Sequence, residues 1–287
     1  MTTLVATSAA RRRKDRVARF MLAAATGVAL VPLGLILFYL VKRGLGAWSW
    51  AFFTTDPTGS FLGDPGGIKS ALIGTVLMVA LAAAISVPIG VGVALYLTEY
   101  GGEGRLAKGV RFLIDVMTGV PSIVFGLFIY ISLVVTGFAG SFAGWKGSIA
   151  LALLMLPVVA RAAEVVLLLV PQSLREAAFA LGAPRWQVVL RIVLPTALPG
   201  IITGTMLAVA RAAGETAPLL FTAAVVNGTT FNLGQRMNSL PAQIFQDVGQ
   251  AQDRLVARAW GAALALVTMI LLLTLVARLV QRRNQLA

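Results

Sequence analysis

Residues 20–41 of the chain read FMLAAATGVALVPLGLILFYLV, a run of 22 residues with no charged side chain. A helix of about 20 apolar residues crosses the hydrocarbon core of a bilayer, so this run predicts a membrane-spanning helix. Of all residues, 58% are hydrophobic and 12% are charged, and the mean hydropathy is +0.88. A typical soluble domain carries about 25% charged residues. The composition therefore predicts an all-α, polytopic membrane protein.

Five further apolar runs bring the expected number of transmembrane helices to six. Pro88 should kink the second, and Pro121 lies inside the third. Because Arg161 and Glu164 end the fourth run early, we expect it to be the weakest span, with its helix continuing into water. The predicted spans are 20–41, 68–98, 110–136, 147–160, 198–222 and 259–280.

The first run follows the basic segment RRRKDR at 11–16, as the apolar part of a secretory signal peptide would. Its 22 residues exceed such a segment in length, and no convincing A-x-A cleavage site ends it. The sequence therefore favours a retained membrane anchor over a signal peptide.

The net charge of +13 is spread over short segments between the apolar runs. That distribution is typical of membrane orientation and argues against a nucleic-acid-binding face, which clusters its basic residues. With the N-terminus inside, 16 of the 24 Lys and Arg residues fall in inner segments and 7 in outer ones. Lys42 and Arg43 fall in an outer segment and so oppose the rule that inner segments carry the excess of basic residues. The balance predicts cytoplasmic tails at 1–19 and 281–287.

The chain contains no His and no Cys, which excludes disulfides, thiol nucleophiles and most transition-metal sites. No catalytic set is visible. The stretch GDPGGIKS at 63–70 approaches a phosphate-binding P-loop, but Ile68 stands where that motif requires glycine. We therefore expect no ATP site, metal or other cofactor in this chain, so any ATP dependence must come from another subunit.

Residues 161–197 form the longest expected cytoplasmic segment. Ser173 and Glu176 have the spacing of a capping box and predict the start of a short helix. Gly182 predicts a turn that a side chain would obstruct, and apolar residues recur at helical spacing after Pro184. The segment predicts a helix–turn–helix element that seats in a groove of a partner.

The same segment matches the pattern EAA-x3-G-x9-I-x-LP at every fixed position, and so resembles the coupling loop of the permeases of bacterial ABC importers. The resemblance implies a type I ABC importer permease fold over 68–280 and a cytoplasmic ATPase that binds Mg-ATP. In that role Glu176 offers charge, and small residues permit close approach of the ATPase. The matching residues are Glu176, Ala177, Ala178, Gly182, Ile192, Leu194 and Pro195.

Three stretches resemble phosphate-importer permeases: 119–128, 210–220 and 239–245. The basic N-terminus and the single leading span resemble the PstA-type subunit more than its PstC-type partner. The resemblance implies a bacterial cytoplasmic (inner) membrane protein with a second homologous permease subunit, two copies of an ATP-binding subunit and an extracytoplasmic phosphate-binding protein over loops such as 223–258. Sulfate, molybdate and phosphonate stay open as substrates, as does an ATPase-independent channel or secondary transporter.

Arg211 lies roughly 20 Å along the predicted fifth span, near the membrane midplane, and an intramembrane charge marks a candidate functional site. Glu215 follows one helical turn later. The two either neutralise each other or present a guanidinium to a phosphate oxyanion. We assign both to a substrate pathway, with Thr216 and with Pro121 and Ser122, where the proline is either a packing kink or a constriction.

Overall fold

The computed structural model describes residues 9–60 and 63–284, so the ends of both predicted tails lie outside the described residues. Within those ranges the regular structure is helical apart from an isolated bridge between Pro57 and Gly66. The helices are α1 Ala9–Gly44, α2 Trp50–Thr54, α3 Lys69–Leu95, α4 Arg105–Gly119, α5 Ser122–Ile129, α6 Gly144–Leu168, α7 Gln172–Ala180, α8 Arg185–Val188, α9 Leu194–Ala213, α10 Ala217–Thr222, α11 Leu240–Val248 and α12 Asp253–Asn284.

Five continuous helical stretches in the described residues are long and apolar enough to cross a membrane, and the bent pair of α4 and α5 makes a sixth. Wide π-helical turns extend α3 to Tyr100 and α5 to Val135, and another joins α8 to α9. The prediction of an all-α chain with six spans is confirmed, although one of the six is broken. The continuous stretches are Arg13–Ala47, Lys69–Tyr100, Gly144–Leu168, Arg185–Ala213 and Asp253–Val276.

The third span is not the single helix that the sequence predicts over 110–136. α4 ends at Gly119, and α5 leaves at 102° to it. Val120 and Pro121 are both extended, with ψ of 129° and 140°. A proline ring disfavours helical backbone in the residue before it, so the chain turns there. In contrast, α3 continues through Pro88.

The fourth span is the centre of the bundle, which corrects the expectation that it is the weakest. α6 has 25 residues, and 56% of its most apolar window is buried, against 28% for α3 and 0% for α1. Small residues allow its neighbours to approach closely: a Cβ on Gly90 of α3 would lie 2.8 Å from Val159. As predicted, the helix continues past Arg161 and Glu164. These two residues pair with each other, and Arg161 also pairs with Asp115.

The fifth span also differs from the predicted 198–222. A continuous helical stretch begins at Arg185, passes through Pro199 and ends at Ala213. A three-residue break then separates it from the short helix α10. The predicted span therefore consists of one long helix and one separate turn of helix.

Candidate functional site

The predicted substrate pair lies in the last turn of α9 and in the break that follows it. Arg211 lies in the last turn of α9, whereas Glu215 follows the end of the helix and does not continue its face. The amide of Glu215 donates to the carbonyl of Ala212 over 3.2 Å, which turns the chain back. The Arg211 Nε atom lies 3.6 Å from the Glu215 Oε1 atom. Thr216 directly precedes α10.

The two members of this pair differ in exposure. The side chain of Arg211 is 55% exposed in the single chain, and that of Glu215 is 16% exposed. The separation of 3.6 Å is longer than a normal hydrogen bond, so the carboxylate attracts the guanidinium without bonding to it bidentately. A planar guanidinium exposed in this way can bind a tetrahedral oxyanion through two parallel N–H groups.

The structure brings the two broken spans together. Gly126 of α5 packs against the backbone of Pro218 in α10, where a Cβ on the glycine would lie 2.6 Å from the Pro218 Cα atom. The contact lies five residues after Pro121 and two residues after Thr216. Pro121 is exposed, and Ser122 is partly buried at the start of α5. The predicted pathway residues from distant parts of the sequence therefore flank one helix–helix contact.

The predicted helix–turn–helix element is present as α7, a turn at Gly182 and α8, and we call residues 171–193 the inner hairpin. Gly182 has a φ of +79°, which L-residues with a side chain rarely adopt. No atom would obstruct a Cβ there, so backbone conformation and not space requires the glycine. Leu181 beside it is 89% exposed. The turn thus presents an apolar side chain at its tip.

The residues of the motif do not all face outward. Glu176 and Ala177 are exposed, but Ala178 is 5% exposed and packs in a core with Val188 and Val193. Ala178 therefore contributes its small side chain to this core, whereas Glu176 and Ala177 are the exposed residues of the pattern on α7. Ser173 does not cap the helix either, because α7 begins at Gln172 after Pro171.

The second half of the motif supports the packing of the hairpin. Ile192 and Leu194 are partly buried against the same core as Ala178. Pro195 is exposed and occupies the first turn of α9. It lies inside the continuous helical stretch that begins at Arg185, just after the π-helical turn that joins α8 to α9. These residues position the hairpin next to the first turn of α9.

Ion pairs join α3, α4, α6 and α7, and the sequence alone did not identify these pairings. Glu164 on α6 accepts from Arg111 over 2.9 Å and from Arg161 over 2.8 Å, and Arg161 also pairs with Asp115 on α4. Glu99 at the end of α3 pairs with Arg175 on α7 over 2.9 Å. Charges within or beside long apolar runs were the available signal. Apart from Arg161 and Glu164, which are three residues apart, the partners lie at least 46 positions apart in the sequence.

A second polar network lies at the other end of the bundle. Arg258 of α12 makes two hydrogen bonds to the carboxylate of Asp247 in α11, over 2.7 and 2.8 Å, and both side chains are at most 6% exposed. Gln243 donates to both oxygens of the same carboxylate. Helix α11, which lies in the segment 223–258, is therefore held against α12. Within the described residues no cluster of three or more acidic side chains could hold a metal ion.

Comparisons with known proteins agree with this architecture. A family model described as binding-protein-dependent transport system inner membrane component matches residues 86–285. The phosphate transport system permease protein PstA of Yersinia pestis is 40% identical over 272 residues, covering 94% of this chain and 90% of the relative. PstA 1 of Mycobacterium tuberculosis (strain ATCC 25618 / H37Rv) is 39% identical over 275 residues, covering 94% and 88%.

Solved structures share the fold at low sequence identity. A bacterial alginate ABC transporter in complex with a periplasmic protein matches with a TM-score of 0.68 and 15% identity, over 94% of this chain and 96% of that one. The inward-facing MetNI methionine ABC transporter matches with a TM-score of 0.58 and 19% identity, over 86% and 97%. The chain therefore has the type I ABC importer permease fold and belongs to the family of binding-protein-dependent transport system inner membrane components.

Proposed function

We propose that this chain is the transmembrane permease subunit of an ATP-driven importer that moves inorganic phosphate across the bacterial cytoplasmic membrane by alternating access. One observation carries the proposal: relatives named phosphate transport system permease protein PstA align at 39 to 42% identity over most of the chain. An importer permease needs a path for its substrate and a surface for its ATPase. Features of this chain support both roles.

The substrate path is assigned to the face that carries Arg211. A guanidinium facing lipid near the midplane costs at least about 2.5–3.5 kcal/mol, and 55% of this side chain is exposed in the single chain. We therefore place this face toward an aqueous path or a second permease subunit. The permanent charge and planar fork suit a phosphate oxyanion. Glu215 lowers the local positive charge, which keeps binding weak enough for release.

The gate of this path is assigned to the two broken spans. Pro121, Ser122 and Thr216 lie at the breaks, and α5 meets α10 at Gly126. Short helices separated by extended residues can pivot at those residues more easily than a continuous helix can bend. Movement of α5 against α10 opens or closes the path beside Arg211.

The surface for the ATPase is assigned to the outward face of the inner hairpin. Glu176 and Ala177 supply a charge and a small side chain on α7, and Leu181 at the tip is 89% exposed. An apolar tip with a flanking charge fits a groove on a partner protein. The partner, not this chain, binds and hydrolyses Mg-ATP, and its movement displaces the hairpin.

The proposed assembly contains a second homologous permease subunit of the PstC type, two copies of the ATP-binding subunit and an extracytoplasmic phosphate-binding protein. The inner hairpin and both termini face the cytoplasm, as the distribution of basic residues indicates. The segment 223–258, which contains α11, then faces outward toward the binding protein. Phosphate is translocated without chemical change.

Reconstitution tests the proposal directly. This chain is co-purified with its candidate partners, placed in proteoliposomes and assayed for uptake of radiolabelled phosphate with and without ATP and the binding protein. We expect phosphate uptake to require both ATP and the binding protein. We also expect an excess of sulfate or molybdate not to inhibit it. Uptake by this chain alone would instead identify a channel or secondary transporter, and preferential competition by another oxyanion would reassign the substrate.

A charge reversal tests the ATPase surface separately. Glu176→Lys should abolish co-purification of the ATPase and ATP-dependent uptake. Glu103→Lys, which reverses another exposed acidic residue in a different loop, is the matched control and should preserve both. Equal effects of the two substitutions would contradict a specific role for the hairpin.

A further inference from the structure

A single guanidinium joins three helices at the inner end of the bundle. Arg175 is carried by α7, and its Nη2 and Nε atoms lie 2.9 and 3.3 Å from the Oε1 atom of Glu99. Its Nη1 and Nη2 atoms also donate to the carbonyls of Val170 and Leu167, over 2.6 and 3.0 Å. The pair is largely buried, with 11% of Arg175 and 9% of Glu99 exposed.

The carbonyl contacts have a clear structural reason. The last carbonyls of a helix have no partner within the helix, and a nearby arginine can satisfy them. Leu167 lies in the last turn of α6, which stops at Leu168, and Val170 follows two residues after that end. Arg175 therefore caps the central helix of the bundle while it pairs with α3, so α7 cannot move independently of either helix.

The guanidinium is the main polar link across an open space. A cleft of about 520 Å³ borders the ion pair and is lined by Thr98, Leu169, Phe179 and other residues of α3, α6 and α7. The hairpin also shares an apolar core with Ala94 of α3. Beside the cleft, the ion pair between Arg175 and Glu99 is the charged contact that joins α7 to the end of α3.

The part of α3 that Arg175 holds is also held from the opposite side. Glu99 lies in the π-helical turn Tyr96–Tyr100, and Arg111 of α4 donates to the carbonyl of Leu97 in the same turn over 3.0 Å. Arg111 also pairs with Glu164 of α6. Helix α4 then leads through the break at 120–121 to α5, which contacts α10.

We propose that Arg175 is a positioning residue that transmits movement of the inner hairpin, through Glu99 and the π-helical turn of α3, to α4 and the two broken spans. The inference rests on the proposed function, because it assigns to one ion pair the step between ATPase movement and the gate. Arg175 touches neither the substrate nor ATP in this scheme. Its removal leaves ATP hydrolysis in place but uncouples it from phosphate uptake.

The test compares phosphate uptake with ATP hydrolysis in the reconstituted complex. For Arg175→Gln and Glu99→Gln we expect ATP hydrolysis to continue and phosphate moved per ATP to fall at least ten-fold. In the double variant, phosphate moved per ATP should fall by no more than about two-fold below the worse single variant, because both substitutions break the same contact. Losses that multiply, or an unchanged ratio of uptake to hydrolysis, overturn the inference.

Arg185→Gln is the matched control. Arg185 borders the same cleft, and its substitution removes the same charge. Its contact there is with the ring of Tyr100, whose centre lies 5.6 Å from the guanidinium carbon. We expect a near-normal ratio of uptake to hydrolysis. A loss equal to that of Arg175→Gln would show that positive charge alone matters and would overturn the inference.

A conformational readout separates transmission from simple structural support. Because the chain has no cysteine, Ile123→Cys provides a single label on α5, where Ile123 is 42% exposed. Its reaction with a water-soluble thiol reagent should change between the nucleotide-free and vanadate-trapped complexes. Adding Arg175→Gln should abolish that change, whereas a persisting change overturns the inference.

Two further outcomes are interpretable. If Arg175→Gln does not assemble, Arg175→Lys and Glu99→Gln decide the matter, because both retain a cation that can cap α6. Failure of those variants to assemble would assign the pair to folding and overturn the transmission role. If the unsubstituted complex imports no phosphate, the proposed function fails first, which is distinguishable from failure of this inference.

Discussion

A methyl group on Gly126 would strain the contact between the two broken spans. Its Cβ would lie 2.6 Å from the Pro218 Cα atom and 3.4 Å from the nitrogen and oxygen of the same residue. Carbon atoms pack at about 3.5–4.0 Å, so Gly126→Ala requires α5 and α10 to separate by roughly 1 Å. The atoms belong to backbone and cannot rotate away. Overpacking of this kind costs about 1–3 kcal/mol.

Gly119→Ala is the control for this substitution. Gly119 is the last residue of α4, and no atom lies within 4 Å of a Cβ built there. We expect Gly126→Ala to lower both the thermal midpoint of the purified complex and the initial rate of phosphate uptake, and Gly119→Ala to change neither appreciably. The assays are thermal unfolding in detergent and uptake into proteoliposomes at saturating ATP.

The outcomes separate packing from gating. If the two alanine variants match in stability and uptake, the inferred close contact between α5 and α10 is wrong. If only stability falls for Gly126→Ala, the contact is structural, and the gate must lie elsewhere. A fall in uptake that exceeds the loss of assembled complex supports movement of these two helices during transport.

Three other predictions concern the path and the inner hairpin. Arg211→Gln should lower phosphate uptake at least ten-fold and Arg211→Lys should be intermediate, because lysine keeps the charge without the planar fork; normal uptake by the glutamine variant would contradict the assignment. Gly182→Ala places a side chain at a φ of +79°, which costs about 1–2 kcal/mol, so less ATPase should co-purify than with Gly182→Asn. Ala178→Leu should lower the thermal midpoint by overpacking a buried site, whereas Ala177→Leu should preserve folding and weaken only ATPase binding; identical effects would refute the two orientations.

Local sequence patterns were sufficient to predict most of the membrane spans and the turn of the inner hairpin. Long apolar runs have few alternatives to helices in lipid, where every backbone group must be satisfied within the segment. Gly182 was predictable because a helix end in the left-handed region needs glycine. The assignment of Arg211 and Glu215 as partners also follows from local spacing, although the helix ends between them.

Other features depended on contacts that no local pattern encodes. Glu164 indicated the end of a span when considered alone, yet Arg111, 53 positions away in sequence, allows the charge to stay in the bundle. Ala178 has no intrinsic preference for either face of α7, and only the position of Val188 and Val193 makes it a core residue.

The sequence alone determined that this chain is helical, crosses the membrane several times and carries the inner hairpin, because apolar length and turn chemistry act within short segments. The tertiary structure decided that α6 is central and that Arg175 reaches Glu99. These features require residues from distant segments to meet, and their stability comes from packing and charge pairing that exist only once the helices have assembled.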